Sequence, residues 1–249
     1  METEEELPHG GKVMSLWEHL GELRQRLVRS LLLVMVAFFG ALVFSNQILD
    51  FLKAPLVAAL PAGANALHFT NPLDVFLVGI KVSFFTSIII AAPYWIMQFW
   101  RFLEPALYEH ERRYVVPFGV ASILLFLSGI SFCFFLILPL ALEFLLTLGM
   151  EVGTPIITVT DYISMLMVLI FGFGLVFETP LILILLSLLD LLDAEMLSKH
   201  RSLVAVIVLV VGAILTPPDP MSQIGMAIPL YLMYEISIIV IRALEKRAP

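Results

Sequence analysis

Residues 162–189 read YISMLMVLIFGFGLVFETPLILILLSLL, a run with one acidic residue, Glu178, and no basic residue. Such a run is long enough to cross a hydrocarbon core of about 30 Å as a helix. It does not alternate polar and apolar residues, as a barrel strand would. Comparable apolar runs fall at about 27–47, 75–99, 115–146, 203–215 and 222–241. The reading is six helical spans in one polytopic domain covering residues 1–249, preceded by a lead-in helix over 15–26.

Composition points the same way. The chain has 249 residues, of which 60% are hydrophobic and 14% charged. Soluble domains carry about 25% charged residues. A soluble enzyme, a nucleic-acid module and a disordered scaffold are excluded. The net charge of −7 argues against a polyanion partner. Cys133 is the single cysteine, so neither an internal disulfide nor a cysteine metal cluster can form.

Orientation follows from the basic residues. Twelve of the 14 fall before span one or in its first turn (Arg29), between spans two and three, between four and five, or after six; only Lys53 and Lys81 do not. The positive-inside rule therefore places both termini in the cytoplasm. Asn71-Pro72 with Asp74, and Asp219-Pro220, read as helix starts with a first-turn proline. Pro93, Pro139, Pro180 and Pro229 lie inside spans and are expected to bend them. Residues 203–215 give only about 20 Å of helix, short for a crossing.

Three places carry candidate chemistry. The segment Ser15-Leu16-Trp17-Glu18-His19-Leu20-Gly21-Glu22-Leu23-Arg24 opens with the capping-box pattern of Ser15 and Glu18. Leu16, Leu20, Leu23 and Leu27 form one stripe, and Glu22 lies off it. The plain reading is an amphipathic helix with a Glu22–Arg26 pair; the sharper one makes Glu22 a carboxylate open to a cationic ligand. The loop from Phe102 to Arg113 holds Glu104, Glu109, Glu111, Arg112 and Arg113. Its charges either neutralise one another in solvent or form a recognition surface. Glu178, deep in the opening run, is either a functional intramembrane acid or one bonded to the carbonyl that Pro180 frees. Gln223, near a span end, suits a helix–helix hydrogen bond.

Enzyme signatures are missing. The histidines (His9, His19, His68, His110, His200) lie outside the spans, and there is no P-loop, dinucleotide fingerprint or G-x-S-x-G elbow. No catalytic residue, metal or cofactor is expected.

From about Leu16 to Arg242 the chain resembles the TatC family, the multi-span subunit of the twin-arginine (Sec-independent) protein translocase. The resemblance rests on His19-Leu20-Gly21-Glu22-Leu23-Arg24, on Ala54-Pro55-Leu56, and on Pro105 through Arg113. It continues at Phe177-Glu178-Thr179-Pro180, Leu215-Thr216-Pro217-Pro218-Asp219 and Ala227-Ile228-Pro229. It implies an all-α membrane protein with six helices in a curved, glove-like arrangement, N-in and C-in, the last two helices short. It also implies a protein of the bacterial inner membrane that binds Arg-Arg signal peptides of folded cargo. Such proteins work in homo- and hetero-oligomers with small single-span subunits of TatA and TatB type, driven by the proton-motive force.

On this resemblance the signal-peptide site corresponds to Glu22 and Glu111, with Arg24, Phe102, Arg112 and Arg113 on the same surface. Glu178 and Gln223 match polar positions facing partner helices or the peptide, and Pro55 matches a sensitive outer-loop position. The chemistry is coherent, because a guanidinium fork takes a carboxylate bidentately whereas Lys offers a point charge. Two competing readings remain on sequence grounds: a proton-coupled small-molecule transporter using Glu178, and a purely structural membrane scaffold. The transporter reading lacks the internal repeat common in that class.

Overall fold

The computed structural model describes residues 16–60, 67–107, 112–153, 156–215 and 220–245. The elements in chain order are α1 (Leu16–Val43), α2 (Ser45–Ala59), α3 (Pro72–Leu103), α4 (Val115–Phe132), α5 (Leu138–Val152), α6 (Val159–Val176), α7 (Thr179–Leu188), α8 (Ala194–Lys199), α9 (Arg201–Leu215) and α10 (Pro220–Glu245). Short 3₁₀ turns occupy Glu104–Ala106 and Arg112–Tyr114, and a π turn, Cys133–Ile137, joins α4 to α5. Among the described residues the β-type pairing is one isolated bridge, His68 with Thr158.

Five helical stretches are long and apolar enough to cross a membrane: Trp17–Val43, Pro72–Leu103, Arg112–Glu151, Val159–Leu188 and Ser222–Glu245. Arg201–Ile214 is a shorter apolar helix. The expectation of two short closing helices thus fits α9 alone, at 15 residues. α10 reaches 26 residues because its helix continues past the apolar run to Arg242 and Glu245.

Local chemistry explains the boundaries. Asn71 Oδ1 accepts from the Leu73 N–H at 3.1 Å, and Asp74 Oδ2 accepts from the Asn71 N–H at 2.9 Å. This reciprocal capping box, with Pro72 in the first turn, starts α3. Thr158 starts α6 by accepting from the Asp161 N–H at 3.1 Å, and Asp193 caps α8. Ser15 and Asp219, which the sequence reading also took as helix-start residues, lie outside the described residues.

The prolines act in two ways. α3 and α10 continue through Pro93 and Pro229. Before Pro139 the ladder widens, and the Leu138 N–H bonds to the Cys133 carbonyl. Before Pro180 it breaks, and Glu178 becomes the residue that precedes α7. Pro180 cannot donate to the Val176 carbonyl. The Thr179 hydroxyl donates to that carbonyl instead, at 2.6 Å. Glu178 is therefore not the group that satisfies it.

α1 runs unbroken from the lead-in segment into the first apolar stretch. Its half-buried positions include His19, Glu22, Arg26 and Ser30, whereas Leu20, Leu23 and Leu27 are exposed. In lipid, apolar side chains need no protein cover, and polar ones turn toward a neighbouring helix. That neighbour is α3.

Two apolar clusters make up the core. One, around Leu56, Val82, Ile137, Ile163 and Met226, lies at the α2 end. The other, around Ile96, Trp100, Phe126, Ile184 and Ile238, lies toward α8. Where α4 crosses α6 there is room only for glycine. A Cβ on Gly129 would sit 2.7 Å from the Phe173 carbonyl oxygen, and one on Gly174 would sit 2.7 Å from the Phe126 ring. Small residues of this kind let helices approach closely in a membrane.

Candidate functional site

The first site lies where the N-terminal part of α1 meets the C-terminal part of α3. Glu22 Oε1 accepts from both Arg26 Nε, at 3.1 Å, and Arg26 Nη2. Arg26 Nη1 reaches Gln98 Oε1 on α3 at 3.3 Å. One turn away the His19 ring stacks on Phe102, with centroids 4.3 Å apart and planes 15° apart. The Glu22 side chain is only 24% exposed. Its Oε2 is buried without a hydrogen-bond partner among the described residues. The Glu22–Arg26 pair therefore exists, and it uses one oxygen of the two.

The other residues assigned to this surface are placed less uniformly. Arg24, Arg112 and Arg113 are exposed. Arg113 lies over the Tyr114 ring at 4.9 Å and donates to the Tyr114 hydroxyl at 2.9 Å. Glu111, with Tyr108 to His110, lies outside the described residues. Glu22 and Phe102 are brought together through His19, which sequence reasoning had quoted but given no role.

The second site surrounds Glu178. Ser122 Oγ on α4 donates to Glu178 Oε2 at 2.5 Å. Glu178 Oε1 is buried and unpartnered. The carboxyl lines a cavity of about 300 Å³ with Trp95, Phe99 and Trp100 of α3, Ser122 of α4, and Leu181 of α7 among its walls. Ser122 and Trp100 were not singled out from sequence. Neither forms part of a local motif, and Ser122 is 56 residues from Glu178.

Two further polar contacts tie helices together at the chain's end. Gln223 Nε2 on α10 donates to the Leu209 carbonyl of α9 at 3.1 Å. Arg201 grips Glu235 with both forks, Nε to Oε1 at 2.7 Å and Nη2 to Oε2 at 2.8 Å. Pro55 sits inside α2. One turn before it, the Leu52 carbonyl accepts from the buried Tyr162 hydroxyl of α6 at 2.7 Å.

Membrane-length apolar helices, with polar residues turned toward neighbouring helices and a carboxyl bonded between two of them, define a multi-pass membrane protein. Residues 18–229 match the family model described as Sec-independent protein translocase protein (TatC). The chain belongs to the TatC family and has a role in the Tat translocase complex. It is 42% identical over 227 residues to the Sec-independent protein translocase protein TatC of Aquifex aeolicus, covering 90% of this chain and 93% of that one. It is 41% identical over 223 residues to TatC of Escherichia coli strain K12, covering 88% and 85%. A solved structure described as the crystal structure of the twin-arginine translocase receptor TatC superposes with a TM-score of 0.77 at 41% identity, covering 91% of this chain and 99% of that one.

Proposed function

We propose that the chain is the signal-peptide receptor of its translocase, and that the α1/α3 crossing and the loop after it form the binding surface. The observation that carries this reading is the buried, unpartnered Oε2 of Glu22, beside the His19–Phe102 stack. Arg26 already holds Oε1, so a peptide guanidinium would bond the second oxygen and share the carboxylate. On the sequence resemblance Glu111 would supply a second carboxylate, with Arg24, Phe102, Arg112 and Arg113 assigned to the same surface. Two acids then require two arginines, because each fork pairs with a carboxylate in a way an ammonium cannot match.

In this reading the chain is one polytopic domain of the bacterial inner membrane, with six crossings and both termini in the cytoplasm, an orientation that the distribution of basic residues supports. Glu178 and Gln223 meet single-span partner subunits of TatA and TatB type, and Pro55 shapes the outer cap formed by α2. The protein assembles as homo- and hetero-oligomers, and the proton-motive force drives export.

The test is binding of a twin-Arg signal peptide to the purified protein. Affinity is expected to fall for a Lys-Lys peptide, for Glu22→Ala and for Glu111→Ala. If binding is indifferent to all three changes, the assignment is wrong.

A further inference from the structure

Of the 14 basic residues only Lys53 and Lys81 lie apart from the other twelve, and the receptor reading uses neither. Lys53 is answered within its own helix, where Asp50 pairs with it at 2.6 Å. Lys81 is not. It lies nine residues into α3, about 13 Å along the helix, and it is exposed. Its Nζ donates to Ser164 Oγ on α6 at 3.1 Å. Among the described residues that neutral hydroxyl is its partner, and no carboxylate pairs with it.

The depth of this ammonium follows from the helices that carry it. The His68 N–H donates to the Ile157 carbonyl, and the Val159 N–H donates to the His68 carbonyl, both at 2.9 Å. This bridge sets the starts of α3 and α6 near one level, on the side of α2. Side chains on a helix lean toward its N-terminus, so Lys81 leans toward that level. Ser164, five residues into α6, stands about 7.5 Å below it. Ser164 also donates to the Thr160 carbonyl at 2.6 Å. Its single proton is therefore in use, and it orients the ammonium without serving an anion itself.

An ammonium carries three donors, and Ser164 takes one. A charge left uncompensated inside an apolar span is costly. The acids on the same two helices are turned elsewhere. Asp74 accepts from the Asn71 N–H in the α3 cap, and Asp161 accepts from the Thr158 hydroxyl at 2.7 Å. Residues 61–66 and 154–155, which follow α2 and α5 in the chain, include no acid. One turn to either side of Lys81, Leu77 and Phe84 are exposed, as is Val168 one turn past Ser164. Apolar side chains in this position suit acyl chains, and at this shallow depth the anion a bilayer itself provides is the lipid phosphate. We propose that Lys81, oriented by Ser164, holds the phosphodiester of a bilayer glycerophospholipid whose chains lie along Phe84 and Val168.

On the orientation proposed above this is the outer leaflet, but the site itself does not depend on that orientation. The experiment uses the full chain in vesicles of equal parts phosphatidylglycerol and galactosyl diacylglycerol with the same acyl chains. One lipid at a time is tritiated in its chains. A benzophenone photocrosslinker installed at Leu77 reads the lipid beside Lys81. The same group at Phe76, exposed at this height but on the other side of α3, reads the bulk bilayer.

At Leu77 phosphatidylglycerol is expected to crosslink about tenfold over the galactolipid, the scale of one charged hydrogen bond. At Phe76 the two should crosslink alike. Lys81→Gln should abolish the preference at Leu77, Lys81→Arg should keep it, and Lys53→Gln should leave it unchanged. Equal labelling by the two lipids at Leu77, or a full preference in a folded Lys81→Gln variant, overturns the inference. So does a preference that excess inorganic phosphate removes beyond the effect of chloride at equal ionic strength, which makes free phosphate the ligand. A Leu/Ala transmembrane peptide with one Glu that displaces the phospholipid, where its Gln counterpart does not, assigns Lys81 to a protein carboxylate and overturns it too. Twin-Arg peptide binding at Glu22 is measured separately on the same vesicles, so the two readings fail separately.

Discussion

Ser122 on α4 and Glu178, at the break between α6 and α7, share a 2.5 Å hydrogen bond in which the hydroxyl donates to Oε2. Since Oε1 has no partner among the described residues, this contact alone holds the carboxyl. Ser122→Ala should therefore lower stability by about 1–3 kcal/mol, the scale for leaving a buried polar group unpaired. Thermal unfolding in detergent measures it. In a Glu178→Leu background the same change should cost less, and equal losses in both backgrounds would refute the coupling.

Glu22→Gln should separate recognition from folding. The Glu22–Arg26 pair is a partly exposed i,i+4 contact, worth no more than about 0.5 kcal/mol. The melting temperature should hardly move. Binding of a twin-Arg peptide should fall about tenfold or more, the scale of a lost charged hydrogen bond. A variant that loses stability and keeps its affinity would reverse this assignment.

The α4–α6 crossing should not tolerate side chains. Gly129→Leu and Gly174→Leu add a Cβ that would sit 2.7 Å from a neighbouring atom, in one case a backbone oxygen. Each is expected to cost about 1–3 kcal/mol or more, as overpacking does. The yield of folded protein and its thermal midpoint report this. Gly40, whose Cβ would meet nothing within 4 Å, is the matched control.

Arg201 and Glu235 face each other across α9 and α10 in a bidentate pair. Reversing one charge, by Arg201→Glu, should loosen this end of the hairpin and speed proteolysis near α8. The double change Arg201→Glu with Glu235→Arg should recover part of the loss. No recovery would mean that packing, not the pair, joins the helices here.

Tyr162→Phe removes the hydroxyl that holds the Leu52 carbonyl. The expected loss is about 1 kcal/mol. It should appear locally, as faster hydrogen exchange in α2, because Leu52 lies in that helix next to Pro55.

What the sequence made legible was local. Asn71, Pro72 and Asp74 announce the start of α3, since a capping box is built by neighbours along the chain. Glu178 stood out because an acid in an apolar run is conspicuous. Its partner did not, because choosing Ser122 depends on which helix crosses which, and at what height. The plain alternative for Glu178, the carbonyl freed by Pro180, failed for a reason one residue away: the Thr179 hydroxyl takes that carbonyl. On α1 the pattern divided polar from apolar positions but could not say which face meets protein, since in lipid the usual inside-out rule gives way. Arg201 and Glu235 are 34 residues apart and belong to no local motif; only the pairing of α9 with α10 brings them together.

α1 has a mechanical character unlike the rest of the molecule. It packs chiefly on one neighbour, α3, while Leu27, Leu31, Val36, Phe39 and Val43 point away from protein. Tilting it exchanges one set of hydrocarbon neighbours for another, so the resistance to such a swing comes almost wholly from a single seam. His19, Glu22 and Arg26 are the polar stitches at one end of that seam. A ligand that takes hold of Glu22 therefore pulls on the lever least anchored to the two cores, and at the point where it is fastened.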